Sequence, residues 1–558
     1  MKRPADRIIS PETWRAIAPS SPGVEVDGDD GARELLAAAF GILAGRADAN
    51  TLDRLLMEDP AGGQLFVNDD CWWRYTDFQC HFHALHGWRP FCGETLRRAD
   101  LCTWSAGFRD QVTGETQRFL REEHGVASPP PVGWLPAQYS GDERHFACRS
   151  PAQYSCNVAP DSAGWAFEED KAYPGYHLFS RLGEHDLNPD YPLMNCLSAT
   201  DWMLWERDAR AAEEYLPRIE EFLGALAGRA DETGYFLFGP QGSQIEFAHG
   251  GWRRQSSTHL YFWKVLASLA EVYAMLGDRR RSASCAERAG LAAERLRRFE
   301  TGDRRLVSGF SRDFSRTFGT GAAGNGSSGY LEVWPNVNAA LTGWWDRGQC
   351  ARLAGRFEAT PPLVDNHLTL ANWPARPIEE QDSDHDGFPP PGTHVNGGFF
   401  WMCAAGALAL YARGGRPETL ARLEELLDDH RRHFSVDCYN QWGRNKEEQF
   451  PHLPRNTHSV TCAGAAGHFF RGLLGLSVSS EMLRIFPGSL PQIDRLALLQ
   501  PVRWGGKELL IEASGHGVVA SASIDGGRAA AAAIDSGGGI SIAFDDLPAR
   551  SRVKVKLA

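Results

Sequence analysis

The residues from 68 to 75 bring acidic, cationic and aromatic side chains together within eight positions, NDDCWWRY. Carboxylates and guanidinium groups hydrogen-bond hydroxyl groups, while a flat indole packs against an apolar ring face. This combination suits the binding of a sugar, and the candidate contacts are Asp69, Asp70, Trp72, Trp73 and Arg74. The alternative is that Trp72 and Trp73 belong to the core and that Asp69 or Asp70 caps a helix.

A second stretch, residues 244–252, reads QIEFAHGGW and contains one carboxylate, Glu246. A buried aromatic wall raises the pKa of a carboxyl group and so prepares it to donate a proton. We therefore take Glu246 as the candidate general acid. The alternative is a structural ion pair between Glu246 and Arg253 or Arg254.

Aromatic residues are numerous, with 18 Trp against 7 Met, which favours a site that binds something flat. Several Trp, His and Asn residues stand where we expect loops to meet helices. The further candidates for substrate contact are His249, Trp252, Arg253, His259, Trp334, His394, Asn396, Trp401 and Trp442. Some of the Trp residues will instead belong to the core.

Metal binding has weak support in the sequence. Residues 382–387, DSDHDG, resemble the first half of a calcium loop, but the twelfth position is Thr393 where an EF-hand requires Glu. Whether Asp382, Asp384 and Asp386 bind calcium stays open. The preferred interpretation is an acidic loop beside the pocket. Cys80, His81, His83 and His86 lack a second ligand pair and are typical of one face of an interior helix. We expect no metal and no cofactor.

The composition limits the possible partners. The 558 residues carry a net charge of −13 without a basic block, which argues against nucleic acid. We find neither a secretory signal nor an apolar run long enough to span a membrane, so we expect a cytoplasmic protein whose twelve Cys are thiols. The expected partner is a small carbohydrate, with no nucleic acid and no membrane, and the oligomeric state stays open.

Hydrophobic periodicity predicts a mostly helical chain. Residues 1–30 lack a period and are expected to form a leader on the surface, and residues 127–190 to form long ordered loops. Helix pairs follow, and short alternating runs after residue 475 predict a small β-domain. The predicted helical stretches are 31–45, 70–86, 94–122, 195–207, 211–229, 257–276, 281–299, 398–413, 418–433 and 460–476, and a further helix pair is expected within 337–357.

This order of elements, together with several motifs, resembles the six-hairpin glycosidase superfamily. The motifs are HFFRGLLGL at 468–476 before LRIFP at 483–487, YPLMN at 191–195, STHLYFW at 257–263 and HVNGGFFW at 394–401. Trehalase, processing α-glucosidases, glycogen-debranching glucosidase, α-L-rhamnosidase and cellobiose phosphorylase belong to it. The resemblance implies an (α/α)6 toroid over residues 31–478 and an antiparallel β-domain over residues 479–558.

The resemblance also implies where two carboxylates lie. One belongs to the loop that contains Glu246, but this chain has Arg253 where trehalase-like members have an acidic residue after Gly-Trp. The base is expected in the loop before the last inner helix, and Asp437 matches that position best. Asp437 could instead cap a turn, and Glu447 and Glu448 are interpreted as a solvated pair.

The function that follows is an exo-acting, inverting glycoside hydrolase for small oligosaccharides or glycosides. A phosphorylase on the same toroid is an alternative, with phosphate held by Arg253, His259 and His394. A lyase or epimerase would use His249, His259 or Tyr261 as its base. A non-catalytic sugar-binding protein is the fourth possibility.

Overall fold

Helices make up most of the chain that the structure, a computed structural model, describes. The described residues are 23–43, 56–58, 65–67, 75–109, 111–122, 130–135, 138–140, 189–237, 253–307, 309–311, 317–318, 331–368, 370–375, 401–434, 459–525, 533–534 and 538–558. The helices are α1 (Asp30–Leu43), α2 (Phe78–Leu85), α3 (Glu94–Arg109), α4 (Gly114–Glu122), α5 (Asp190–Glu206), α6 (Ala209–Ala227), α7 (Ser256–Met275), α8 (Arg279–Arg297), α9 (Val333–Leu341), α10 (Arg347–Glu358), α11 (Pro361–Asp365), α12 (Trp401–Gly414), α13 (Thr419–Phe434) and α14 (Ser459–Leu474).

The strands are short before residue 477 and longer after it. They are β1 (Val24–Gly28), β2 (Leu56–Glu58), β3 (Leu65–Val67), β4 (Tyr75–Asp77), β5 (Gln138–Ser140), β6 (Arg253–Gln255), β7 (Gly309–Ser311), β8 (Thr317–Phe318), β9 (Leu331–Glu332), β10 (Asn372–Trp373), β11 (Ser477–Val478), β12 (Met482–Ile485), β13 (Ile493–Leu498), β14 (Val502–Trp504), β15 (Lys507–Ser514), β16 (Val519–Asp525), β17 (Ala533–Ile534), β18 (Ile540–Ala543) and β19 (Arg550–Leu557).

Six of the described helices contact one another in a closed cycle, in the order α2, α5, α7, α9, α12, α14 and back to α2. We call them the ring helices. In α5 the residues from Asp190 to Thr200 are all buried, as expected of a helix that is enclosed on every side. The helices α1, α3, α6, α8, α10 and α13 each pack against a ring helix. Their exposed faces are polar, as in α8, where only the residues that face α7 are buried.

Three neighbouring pairs of ring helices run in the same direction: α2 with α14, α5 with α7, and α9 with α12, where Gly406 lies against Val337 and Arg413 donates to the Ala340 carbonyl. Gly464 and Gly467 of α14 lie against His83 and Trp88, so both helices advance together. An added Cβ at Gly467 would stand 2.0 Å from the Trp88 ring, which is why this contact requires glycine. The first residues of α5 and α7 are hydrogen-bonded to each other, and we call the end of the ring that contains Asp190, Ser257 and Trp334 the mouth.

Connections differ in length at the two ends of the ring. Arg207 and Asp208 alone join α5 to α6, and residues 276–278 join α7 to α8, both away from the mouth. Longer stretches of sequence precede the ring helices that follow. These segments are 123–189, 228–255, 298–332, 359–400 and 435–458.

Two predicted helices differ from the structure. The predicted helix 70–86 is wrong at residues 75–77, which form strand β4, and α2 begins only at Phe78. The expected helix 94–122 is wrong as a single element, because the backbone N–H of Val112 pairs with the Trp134 carbonyl between α3 and α4. The helix pair predicted at 337–357 is present as α9 and α10, which are separated because Gly343 has a φ of +82° and Asp346 caps α10 by accepting from the Gln349 backbone N–H at 2.7 Å.

After residue 476 the chain forms two sheets, as the alternating pattern predicted. One has six strands, with the path β1-β13-β15-β19-β16 and β14 on β15, and the other has the order β11-β12-β18-β17. The expectation of an antiparallel β-domain is wrong in one place: β19 pairs parallel with β15 and antiparallel with β16. Strand β19 lies between two successive strands that run in opposite directions, so it must be parallel to one of them.

The expected surface leader over residues 1–30 is also wrong in its last part. Val24 and Val26 are buried, because β1 pairs with β13 at the edge of the large sheet. The sheets share a hydrophobic core with α1 and α14, including Phe40, Phe470 and Leu473. The mostly helical class with C-terminal strands is confirmed, whereas the (α/α)6 toroid stays a prediction. No helix within the described ranges has the length and apolar content needed to cross a membrane.

Candidate functional site

Most of the predicted site residues lie outside the described residues. These are Asp69, Asp70, Trp72, Trp73, Arg74, Glu246, His249, Trp252, Asp382, Asp384, Asp386, His394, Asn396, Asp437, Trp442, Glu447 and Glu448. Arg253 and Trp401 are described in their backbone, as the first residues of β6 and α12. The structure describes the side chains of His259 and Trp334.

The sequence order brings the candidate-bearing segments to ring helices. Residues 68–74 directly precede β4 and α2, and the segment that contains Glu246 precedes β6 and α7. Residues 376–400 end at α12, and the segment that contains Asp437 ends at α14. Each segment therefore enters the N-terminal end of a ring helix.

The centre of the ring near the mouth is occupied by His83 of α2 and Trp334 of α9. Their ring centroids lie 4.9 Å apart, although α2 and α9 stand on opposite sides of the cycle. His83 also faces His468 of α14, with ring centroids 6.2 Å apart. All three side chains are buried. The contact across the ring therefore marks its axis.

The imidazole of His83 is fully buried, and within the described part of the chain neither ring nitrogen has a hydrogen-bond partner. Leaving a buried polar group unpaired costs about 1–3 kcal/mol. Burial, with a smaller contribution from His86, lowers the pKa of His83 to about 3. The ring is therefore neutral at ordinary pH.

One turn deeper along α9, Asn338 lies on the same helix face as Trp334, because residues four apart superpose on a helix. Its side-chain amide donates to the Trp334 carbonyl at 3.1 Å, while its side-chain oxygen has no partner among the described residues. The face of α9 that carries Trp334 thus also carries a buried polar side chain one turn deeper.

Below this level a buried network of charges joins α2, α3, α5 and α14. Arg89 pairs with Asp100 at 2.7 Å and with Asp201 at 3.1 Å. Arg471 pairs with Asp201 at 3.0 Å. Burial opposes ionisation of Asp201, but Arg471 and then His86 hold its pKa well below the usual range. The network connects these four elements on the side of His83 that lies away from the mouth.

The histidines of this network are neutral. Burial, strengthened by the Arg471 cation, lowers the pKa of His86 to about 4, and Asp201 opposes this only in part. Burial also lowers the pKa of His81, whose Nε2 lies 2.8 Å from Asp100. Within the described residues no group of three or more His, Cys, Asp or Glu side chains is arranged to hold a metal ion.

At the mouth, Asp190 joins two neighbouring ring helices. Its carboxylate accepts from the Ser257 hydroxyl at 2.8 Å and from the Thr258 hydroxyl at 2.6 Å, and all three residues are buried. Asp190 is the first residue of α5, where a negative charge is stabilised by the helix dipole. These two hydrogen bonds hold the first turn of α7, which follows β6 directly.

His259 was expected to contact substrate, and the structure gives it a different environment. Its Nδ1 lies 2.6 Å from the Gln255 carbonyl, and its Nε2 accepts from the Phe236 backbone N–H at 3.3 Å. The ring packs among Tyr235, Phe236 and Phe299, and burial lowers its pKa to about 4. This geometry supports a structural role rather than contact with substrate or catalysis as a base.

Arg254, one of the possible partners of Glu246, forms an ion pair with Asp231, whose carboxylate accepts from Nε at 3.0 Å. Burial opposes ionisation of Asp231, but the Thr233 hydroxyl, the Tyr235 backbone N–H and Arg254 together lower its pKa to about 2. The carboxylate of Asp231 is therefore charged and anchors the strand that follows the Glu246 segment.

Sequence reasoning missed three buried polar residues near the mouth: His83, Asp190 and Glu332. Glu332 ends β9, directly before α9, and is buried, with its backbone carbonyl accepting from the Asn336 side chain at 2.6 Å. A signal was available for Glu332, because it stands two residues before Trp334 at a predicted loop–helix junction. His83 was interpreted only as part of an interior helix face.

No protein-family model matches the chain, and no curated protein matches it either. Among solved structures, it aligns with a GH78 family rhamnosidase of Bacillus sp. GL1 at 14% identity and a TM-score of 0.46, covering 89% of this chain and 42% of that one. A structure described as a sialidase aligns at 11% identity with a TM-score of 0.44, over 88% of this chain and 38% of that one. A structure described as a wild-type glycosidase aligns at 13% identity with a TM-score of 0.45, over 79% of this chain and 98% of that one.

The chain thus spans less than half the length of the first two structures. Each of the three TM-scores lies below 0.5 and each identity is at most 14%, so the alignments assign neither a family nor an activity to this chain.

Proposed function

We propose that this protein is a glycoside hydrolase whose sugar pocket lies at the mouth of the ring, and that the ring is the inner layer of an (α/α)6 toroid. The observation that carries the proposal is the common direction of the ring helices in three neighbouring pairs. Because they begin at the same end, the segments with Glu246, Asp437, the Trp pair at 72–73 and Trp401 all lead to that end.

The proposed chemistry uses two carboxylates. Glu246 donates a proton to the leaving oxygen, and Asp437 activates a water molecule on the opposite face of the sugar. An inverting enzyme separates its two carboxyl groups by about 6.5–9.5 Å to leave room for that water. The substrate is a small oligosaccharide or glycoside cleaved from its end, and the reaction needs no cofactor.

The buried polar atoms of His83 and Asn338 that lack a partner among the described residues support a site for a neutral, hydroxyl-rich ligand. His83 is uncharged and the Arg side chains of the deeper network are paired with Asp100 and Asp201. A lyase or epimerase that uses His259 as its base is disfavoured, because both nitrogens of that ring are engaged within the protein.

The proposal is tested by assaying the purified protein on a panel of aryl glycosides and disaccharides, with and without inorganic phosphate. We expect release of a free reducing sugar at a rate independent of phosphate. Turnover that requires phosphate would replace the hydrolase with a phosphorylase. Sugar binding without turnover of any member would contradict an enzyme of this class.

A further inference from the structure

We propose that His83 is a sugar-binding residue on the floor of the pocket, where its imidazole hydrogen-bonds a hydroxyl group of the sugar that packs against Trp334. The inference rests on the proposed function, because it takes the mouth of the ring as the carbohydrate site.

His83 differs from every other buried histidine that the structure describes. His81 contacts Asp100, His86 contacts Asp201, and His468 lies 2.6 Å from the His83 carbonyl through its Nε2. Both nitrogens of His259 are engaged. Only His83, which is 0% exposed, has neither nitrogen paired within the described residues.

The position of His83 faces the axis of the ring near its mouth. It is the sixth residue of α2 and therefore lies about 7 Å below the start of that helix. Its neighbour across the ring, Trp334, is the second residue of α9, so the indole stands close to the mouth. A ligand that enters past Trp334 meets His83 next.

The chemistry of a neutral imidazole fits a sugar hydroxyl. One ring nitrogen donates and the other accepts, and a hydroxyl group can do both. A buried polar group without a protein partner destabilises the free protein, and binding sites commonly keep such groups because the ligand supplies the partner. Because the neutral imidazole of His83 offers no positive charge to an anionic ligand, we expect a neutral sugar to bind here.

The test compares His83→Phe with His259→Phe in a thermal-shift assay, without sugar and with saturating d-glucose, d-galactose, d-mannose or l-rhamnose. Phenylalanine fills the same space as histidine without its hydrogen bonds. We expect His83→Phe to keep or raise the Tm of the free protein and to lower sugar affinity at least about 10-fold. His259→Phe breaks two internal hydrogen bonds, so it lowers the Tm but leaves the affinity of the folded protein unchanged.

His83→Ala is the second variant, because it removes the imidazole without the bulk of a benzene ring. Wild-type affinity in either folded His83 variant would overturn the proposal, and so would the absence of any sugar-dependent shift in the wild type. The two proposals fail separately. If sugar shifts the Tm in a way that depends on His83 but no glycoside is turned over, the hydrolase proposal is wrong and the role of His83 is supported. If glycosides are turned over equally with and without His83, the hydrolase proposal is supported and the role of His83 is wrong.

Discussion

His83 of α2 and Trp334 of α9 meet at 4.9 Å across the centre of the ring, on helices that are separated by two others in either direction around the cycle. The contact joins a polar side chain without a described partner to a large aromatic surface next to the mouth. Such a pair is expected where a sugar presents one apolar face and several hydroxyl groups.

Trp334→Phe should raise KM or Kd for the sugar about 10-fold, because a benzene ring offers less stacking area than an indole. Trp345 is the matched control, since it is an equally buried indole but follows α9 at the end away from the mouth. Trp345→Phe should lower the Tm and leave KM unchanged. If the Trp334 and Trp345 variants have equal KM values, Trp334 does not contact the sugar.

Asp190→Asn should reduce kcat about 10-fold or more, because the bonds to Ser257 and Thr258 fix the start of α7, which the Glu246 segment precedes, and misplacement of about 1 Å is costly in catalysis. Asp208→Asn is the control, because Asp208 caps α6 at the opposite end by accepting from Ala211. Asparagine caps a helix about as well as aspartate does, so this variant should leave both stability and kcat nearly unchanged. If the folded fractions of the Asp190 and Asp208 variants have the same kcat, Asp190 has no special role in positioning α7 for catalysis.

Asp201→Asn should lower the free energy of unfolding by about 3–5 kcal/mol, because it leaves the buried Arg471 without its opposite charge. Glu94→Gln removes a carboxylate from an exposed pair with Arg98 and should cost about 0.5 kcal/mol or less. Urea denaturation measures both. A loss below about 1 kcal/mol for Asp201→Asn would show that the charge network contributes little to the stability of the fold.

Stability should fall as the pH is lowered from 6.5 towards 4. The pKa of His83 is about 3 and that of His86 about 4 in the folded protein, against 6.5 for an unperturbed histidine. Between these values the unfolded chain binds more protons, so acidification favours unfolding. The slope should be shallower in His83→Phe, and an unchanged slope between pH 6.5 and 4 would contradict the neutral, buried state of His83.

Hydrophobic periodicity was sufficient to predict the helical class and the strands after residue 476, because long buried helices and alternating strands leave a local signal. It failed where tertiary contacts decide. The predicted helix 94–122 is divided because the Val112 backbone N–H pairs with the carbonyl of Trp134, which lies outside that stretch. Strand β1 is buried only because β13, more than 450 residues later, pairs with it.

The candidate site was less predictable than the fold. Trp334 was proposed from its place at a loop–helix junction, but His83 could not be separated from its neighbours His81 and His86, since the difference lies in which partners surround each ring. The internal hydrogen bonds of His259 could not be read from the local sequence for the same reason. Local sequence predicts which residues are buried, but hydrogen-bond partners come from distant segments.

The carboxylate pair is the central claim, and turnover by Glu246→Gln and Asp437→Asn tests it most directly, with Glu447→Gln as the control in the segment that contains Asp437. Both replacements are nearly isosteric, so we expect folded proteins whose kcat falls at least about 100-fold, while Glu447→Gln retains wild-type turnover. An aryl glycoside with a good leaving group should partly restore only the Glu246 variant, because such a group needs little protonation. Near-wild-type turnover in either Glu246→Gln or Asp437→Asn would contradict the role assigned to that residue.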